Sequence, residues 1–162
     1  MNTTVTVTGI GVVSSAGNDA DALVELVAHG RSALRVIADP RVAHFRATHA
    51  GVTASLEAAD EDRHVTLARR AAHQALNASG VLQRFAPDRI GIVHATCSGP
   101  MPTIEQQYER ALQGQYDLSE KQRAQRRYDS AARELARMCN VGGPVVTVTT
   151  ACSASTLAMG VA

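Results

Sequence analysis

The sequence predicts an α/β layered fold, with a mixed, largely parallel sheet flanked by helices in a single domain over residues 1–162. Three observations lead there. Thr/Val alternation, the mark of a half-buried strand, occurs at TVTVTG (4–9) and again at VTVTTA (146–151). A short apolar run, RIGIVHA (89–95), has the length of a buried strand. Between these runs lie segments with apolar residues at helical spacing, and strands that alternate with helices favour parallel pairing through crossovers. A chain of 162 residues is of one-domain length and can bury a core.

The elements follow in order. TTVTVTGIGVV (3–13) reads as the opening strand, and SSAGND as the loop after it. Asn18 is the expected N-cap of a first helix, with Ala20, Leu23, Val24 and Val27 as its inward stripe and Gly30 as its stop. Residues 31–47 read as irregular, and 48–56 as holding a short strand. A long helix starts near Asp62. Val65, Ala68, Ala72, Ala75 and Leu76 share its apolar face, while Arg63, Arg69, Arg70, Gln74 and Asn77 share the polar one. Gly80 ends it. The strand 89–95 is broken by CSGPMP (97–102), and the polar segment from Thr103 to Arg127 reads as helical in pieces. Asp129 to Cys139 is a further amphipathic helix, with Ala132, Leu135, Met138 and Cys139 facing inward. Gly142, Gly143 and Pro144 turn the chain into a last strand, VVTVTT, and a helix starts after Cys152.

Composition removes several functions. Aromatic residues make up 3% of the chain and Trp is absent, so platforms for stacking nucleic-acid bases are scarce. A net charge of +1 provides no global field for nucleic acid or an anionic membrane. No apolar run reaches the ~20 residues of a membrane span, and the N-terminus lacks the pattern of a signal peptide. The three cysteines, Cys97, Cys139 and Cys152, are too few for a disulfide scaffold and lack zinc spacing. A reducing cytoplasm is the expected location, with no metal and no cofactor. The GIG of residues 9–11 is not a dinucleotide fingerprint, because Ser14 stands where the third glycine belongs.

Chemistry concentrates in VTVTTACSAS (146–155). A strand that turns sharply into a helix presents a side chain at a helix N-terminus, where free N–H groups and the dipole favour an anion. A cysteine there is expected to have a lowered thiol pKa and to act as a thiolate nucleophile, with the same N–H groups serving a developing oxyanion. Small neighbours, Ala151, Ser153 and Ala154, leave room for a tight turn and a substrate. The alternative is a buried structural cysteine.

Five segments in order carry a resemblance that covers nearly the whole chain. VTVTGIGVVSSAGND, HGRSAL, ARRAAHQALNASG, DRIGIVHATCSG and GGPVVTVTTACSAS resemble the N-terminal half of the β-ketoacyl-acyl-carrier-protein synthases, condensing enzymes of the thiolase fold. The resemblance implies that Cys152 accepts an acyl chain from acyl carrier protein. Malonyl carrier protein is then decarboxylated, and its carbanion attacks the acyl-cysteine. The family's two histidines and its lysine belong to the C-terminal half. None of His29, His44, His49, His64, His73 and His94 sits in a matching motif, so all six are read as structural, and His94 alone merits a check against Cys152. Ser98 matches a position that lines the acyl pocket in some relatives, and is otherwise a turn residue. Cys97 reads as a turn residue or as a second thiol at the pocket mouth.

The resemblance further implies acyl carrier protein, in acyl and malonyl forms, as partner, and a homodimer or a heterodimer with a related synthase subunit. Many relatives carry basic residues before the long helix; here Glu57, Asp60, Glu61 and Asp62 stand there. Basic charge lies instead at Lys121, Arg123, Arg126 and Arg127, read as a solvated helix face or a displaced docking patch. The end of the chain falls inside the helix after the nucleophile, so a truncated half-domain is expected. The rival readings are a non-catalytic remnant or interaction module, and a simple thiol acyltransferase or hydrolase using Cys152 alone.

Overall fold

In a computed structural model of the chain, residues 4–39, 42–53 and 61–162 are described. They form two compact units. One holds the described residues before 54 together with Arg70–Ser79; the other holds 61–69 and Gly80–Ala162. Glu57 and Asp60 lie outside the described residues, as does the end of the strand expected over 48–56.

In the first unit, helix α1 (Ala20–Ala28) is capped by Asp19, whose side chain accepts a hydrogen bond from the Ala22 N–H at 2.7 Å. The expected cap, Asn18, is one residue early; its backbone carbonyl is used otherwise, as acceptor from Gln74. Gly30 ends the helix in the left-handed region at φ 60°, its N–H bonded to the Val27 carbonyl. The inward stripe of α1 is also corrected. Leu23 and Leu26 are half-buried, whereas Val24 and Val27 are exposed. The run LVELV is apolar on two faces, so its pattern does not choose between them.

A short antiparallel pair follows: β1 (Leu34–Val36) on β2 (His49–Gly51), with Arg35 opposite Ala50. The stretch expected to be irregular therefore contains a strand.

The opening strand is not a strand. The described residues 4–13 have no ladder partner and lie against the C-terminal part of helix α2 (Arg63–Ser79). Gly9 and Gly11 permit that approach: a Cβ on either would overlap a helix carbonyl, that of Ala75 or Ala71. Gln74 closes the contact, accepting from the Val12 N–H at 3.0 Å and donating to the Asn18 carbonyl. Gln74 is thus half-buried and committed, not on a solvated face.

The second unit carries the small core of Val65, Ala131, Ala132, Ala154 and Ala158. Gly80, at φ 62°, ends α2 and starts the one-turn helix α3 (Val81–Arg84). Strand β3 (Ile92–Ala95) pairs in parallel with β4 (Val145–Val148), with Ile92 beside Val145 and His94 beside Thr147. Gly143 lets the chain turn into β4, because a Cβ there would strike the carbonyl of Ile90. Between the strands run α4 (Met101–Leu112), α5 (Glu120–Gln125) and α6 (Ser130–Met138). Ser119 and Gln122 build a capping box on α5. Helix α6 packs on both strands, and so does α7 (Ala154–Val161), through Ala154 and Ala158. Alanines at these contacts bring helix backbones close to the sheet. On α6, Ala131 and Ala132 are buried and Leu135 and Cys139 half-buried, so the expected inward face holds except at Met138, which is 37% exposed. Among the described residues no helix is long and apolar enough to cross a membrane.

Candidate active site

Strands β3 and β4 are parallel neighbours, so their C-terminal ends leave the sheet on the same side. The Thr96 N–H donates to the Val148 carbonyl at 3.1 Å and carries the pairing to that edge. Ser98 lies three positions after the end of β3, and Cys152 four after the end of β4. Ligands in open α/β sheets gather at the carboxyl ends of parallel strands.

Cys152 is the centre of a single 3-10 turn, Ala151–Ser153, that joins β4 to α7. The thiol is free and exposed, which removes the buried structural reading. Ala151, just before it, sits at φ 50°, where a Cβ is disfavoured by roughly 1–2 kcal/mol. Strain of that kind persists only where the surroundings hold it. Ser153 steadies the turn, its hydroxyl donating to the Thr150 carbonyl at 2.8 Å and its N–H to the same oxygen at 3.2 Å. The left-handed residue escapes sequence reasoning, although the run of small residues around it is compatible with it.

Ser98 and Cys97 are both exposed in the loop after β3. That loop is fixed by its glycine. Gly99 takes φ 59°, its N–H bonds the Thr96 hydroxyl at 2.9 Å, and a Cβ there would lie 2.9 Å from the Tyr128 ring. Cys139 is half-buried, and burial pushes its thiol pKa up. The His94 ring packs edge-on against His64, and among the described residues no hydrogen bond reaches the Cys152 sulfur. Among the described residues no three His, Cys, Asp or Glu side chains are grouped to hold a metal.

A cleft of about 630 Å³ opens in the second unit between the start of α2, α5 and α6. Arg69, Lys121, Arg133 and Arg137 line it, with Glu61 and Glu134. Glu61 pairs with Arg69 at 2.9 Å and accepts from the Thr66 hydroxyl at 2.7 Å. Glu134 pairs with Arg137 at 2.6 Å, which holds its carboxyl below the usual range. Lys121 thus belongs to a lined cleft. Arg127 instead turns to Asp129, forming a bidentate pair at 2.8 and 2.9 Å.

The fold and the turn at Cys152 define a class, and comparison places the chain in it. Residues 2–162 match the family described as "Beta-ketoacyl synthase, N-terminal domain", and the chain belongs to that family. It is 29% identical over 173 residues to the tetracenomycin polyketide synthase ketoacyl synthase alpha subunit of Streptomyces glaucescens. That match covers 96% of the chain and 41% of the relative, so the chain spans less than half the relative's length.

Two solved structures share the fold. The ketosynthase in a complex of a type II polyketide synthase acyl-carrier protein with its ketosynthase bound to the hexaketide superposes with a TM-score of 0.81 at 20% identity, covering 96% of this chain and 40% of that one. A β-ketoacyl synthase from Burkholderia phymatum STM815 gives a TM-score of 0.76 at 22% identity, over 96% of this chain and 41% of that one. The thiolase-like ketosynthase fold expected from the sequence is therefore the fold found.

Proposed function

We propose that the chain provides the acyl-accepting part of a polyketide-type 3-oxoacyl synthase, with Cys152 as nucleophile. The observation that carries this reading is the exposed thiol in a strained strand-to-helix turn at the carboxyl end of β4. The Cys152 thiolate attacks the thioester carbonyl of an acyl carrier protein. The tetrahedral oxyanion collapses, the new thioester forms on Sγ, and the carrier thiolate leaves and takes a proton. In the second step malonyl carrier protein loses carbon dioxide. Its carbanion attacks the acyl carbon, and the Cys152 thiolate departs, leaving a 3-oxoacyl chain on the carrier. The histidines and lysine of that step lie, in the family, beyond the N-terminal part. The polyketide alternative is preferred to fatty-acid synthesis because the curated relative is a polyketide subunit.

Ser98 is proposed to line the acyl pocket, since it leaves the sheet on the same side as Cys152. The carrier protein is proposed to dock over the cleft of Arg69, Lys121, Arg133 and Arg137, whose cations outnumber Glu61 and Glu134. The second synthase subunit is the proposed dimer partner, and the cytoplasm the proposed location.

The test supplies the chain with the C-terminal half of a related synthase, an acyl carrier protein and malonyl carrier protein, and measures the 3-oxoacyl product. Product that disappears in Cys152→Ala supports the proposal. Product that persists in that variant contradicts it, and no product with either protein favours a non-catalytic remnant. Lys121→Glu is expected to raise KM for the carrier several-fold with little change in kcat.

A further inference from the structure

The second unit brings two imidazoles together away from Cys152. His64 lies in the first turn of α2 and His94 in β3; their ring centroids are 5.3 Å apart and the planes meet at 64°. The His64 side chain is 15% exposed, and both of its ring nitrogens are buried without a hydrogen-bond partner. Nδ1 of His94 is in the same condition. Thr147, beside His94 on β4, also has a buried hydroxyl without a partner. Register partners on parallel strands face the same side of the sheet. A layer with this many unpaired polar atoms stores unmet hydrogen-bonding potential.

The charged groups around the pair are few. Asp62 Oδ1 is 3.8 Å from His64 Nδ1, but the carboxylate already accepts from the His64 backbone N–H at 2.8 Å and from the Thr103 hydroxyl. Arg63, next in the helix, is exposed. Strand β4 and helix α7 bring no titratable side chain. Helix α6, packed on both strands, carries Arg133, Glu134 and Arg137 with Cys139 at its cap; Glu134 is paired with Arg137, and Arg133 with Asp129 at 2.6 Å. Among the described residues of these elements no carboxylate is left over to receive a charged His94.

We propose that His64 and His94 form an acid-sensitive latch, a neutral imidazole pair that fastens the first turn of α2 to the strand pair leading into Cys152 and is loosened when either ring takes up a proton. Geometry supports it first: a charge on one ring would sit against the other, among groups already committed. Burial lowers both pKa values, and for His94 the neighbouring His64 lowers it further. The Asp62 carboxylate works the other way on His64 and is the weaker influence. The folded-state values therefore lie below the ordinary imidazole value of about 6.5. The unfolded chain binds more protons in that window, so stability is full above it and is lost as pH falls through the lowered values.

The experiment is urea unfolding of the chain between about pH 8 and pH 5, in the unmodified protein and in the His64→Leu/His94→Phe double variant. The folding equilibrium constant of the unmodified chain is expected to fall by up to about tenfold per pH unit for each proton. The double variant should show a shallower dependence. Parallel slopes in the two proteins overturn the proposal. Should the variant not fold, an NMR titration of the imidazole carbons in the unmodified chain decides. Both rings remaining neutral at about pH 6 supports the latch, and both half-charged at or above 6.5 refutes it. Because folding is read, the result is independent of whether Cys152 accepts an acyl group.

Discussion

Two residues beside the functional elements hold unusual states, and each makes a prediction. Ala151 tolerates φ 50° because its side chain is a single methyl. A β-branched residue has no comfortable conformation there. Ala151→Val is expected to lower stability by roughly 2 kcal/mol and to slow alkylation of Cys152, while Ala151→Gly keeps the alkylation rate. Iodoacetamide labelling followed by mass spectrometry separates the two. Asp129 accepts from Arg127 and from Arg133, which hold its carboxyl well below the ordinary range despite some burial. Its folded pKa is depressed, so its stabilisation is present above the unfolded value near 4 and is lost as pH falls below it. Asp129→Asn should cost roughly 1–2 kcal/mol at neutral pH in denaturant unfolding, a difference that starts to narrow below about pH 4 and closes only as pH approaches the depressed folded value.

At the scale of elements, the tightest joint of the first unit is the crossing of residues 9–12 over α2. Gly11→Ala would place a methyl in the Ala71 carbonyl and is expected to destabilise by roughly 1–3 kcal/mol, as a fall in thermal midpoint. That joint also shows where sequence reading stops. Alternation in TTVTVTG reports which side chains could share a face, but a strand exists only if a neighbour supplies the ladder, and here a helix supplies the contact instead. The α1 stripe fails for a related reason, since an apolar run on two faces leaves the choice to packing. By contrast the turn at Cys152 is legible. Val and Thr alternate from Val146 to Thr149, Gly143 and Pro144 open the strand, and small residues close it, so local chemistry alone places the thiol between β4 and α7. The pairing of β3 with β4 puts Ser98 and Cys152 at one edge of the sheet, a relation no local pattern contains. The His64–His94 contact is equally non-local.

At the scale of the whole molecule, apolar exposure is large. Val5, Val7, Val24, Val27, Leu34 and Val36 are all more than half exposed in the first unit. Apolar side chains exposed in this number are available for association with another surface. The isolated chain is expected to associate with itself above micromolar concentration, seen by sedimentation velocity; a monodisperse monomer would contradict this. That Cys152 receives the acyl chain is the role proposed for it above. Intact-mass analysis after incubation with an acyl carrier protein and a complementing C-terminal half tests it most directly. One acyl adduct is expected, mapped to Cys152 and absent in Cys152→Ala. An adduct on Cys97 or Cys139, or none while the complemented protein is folded, would contradict it.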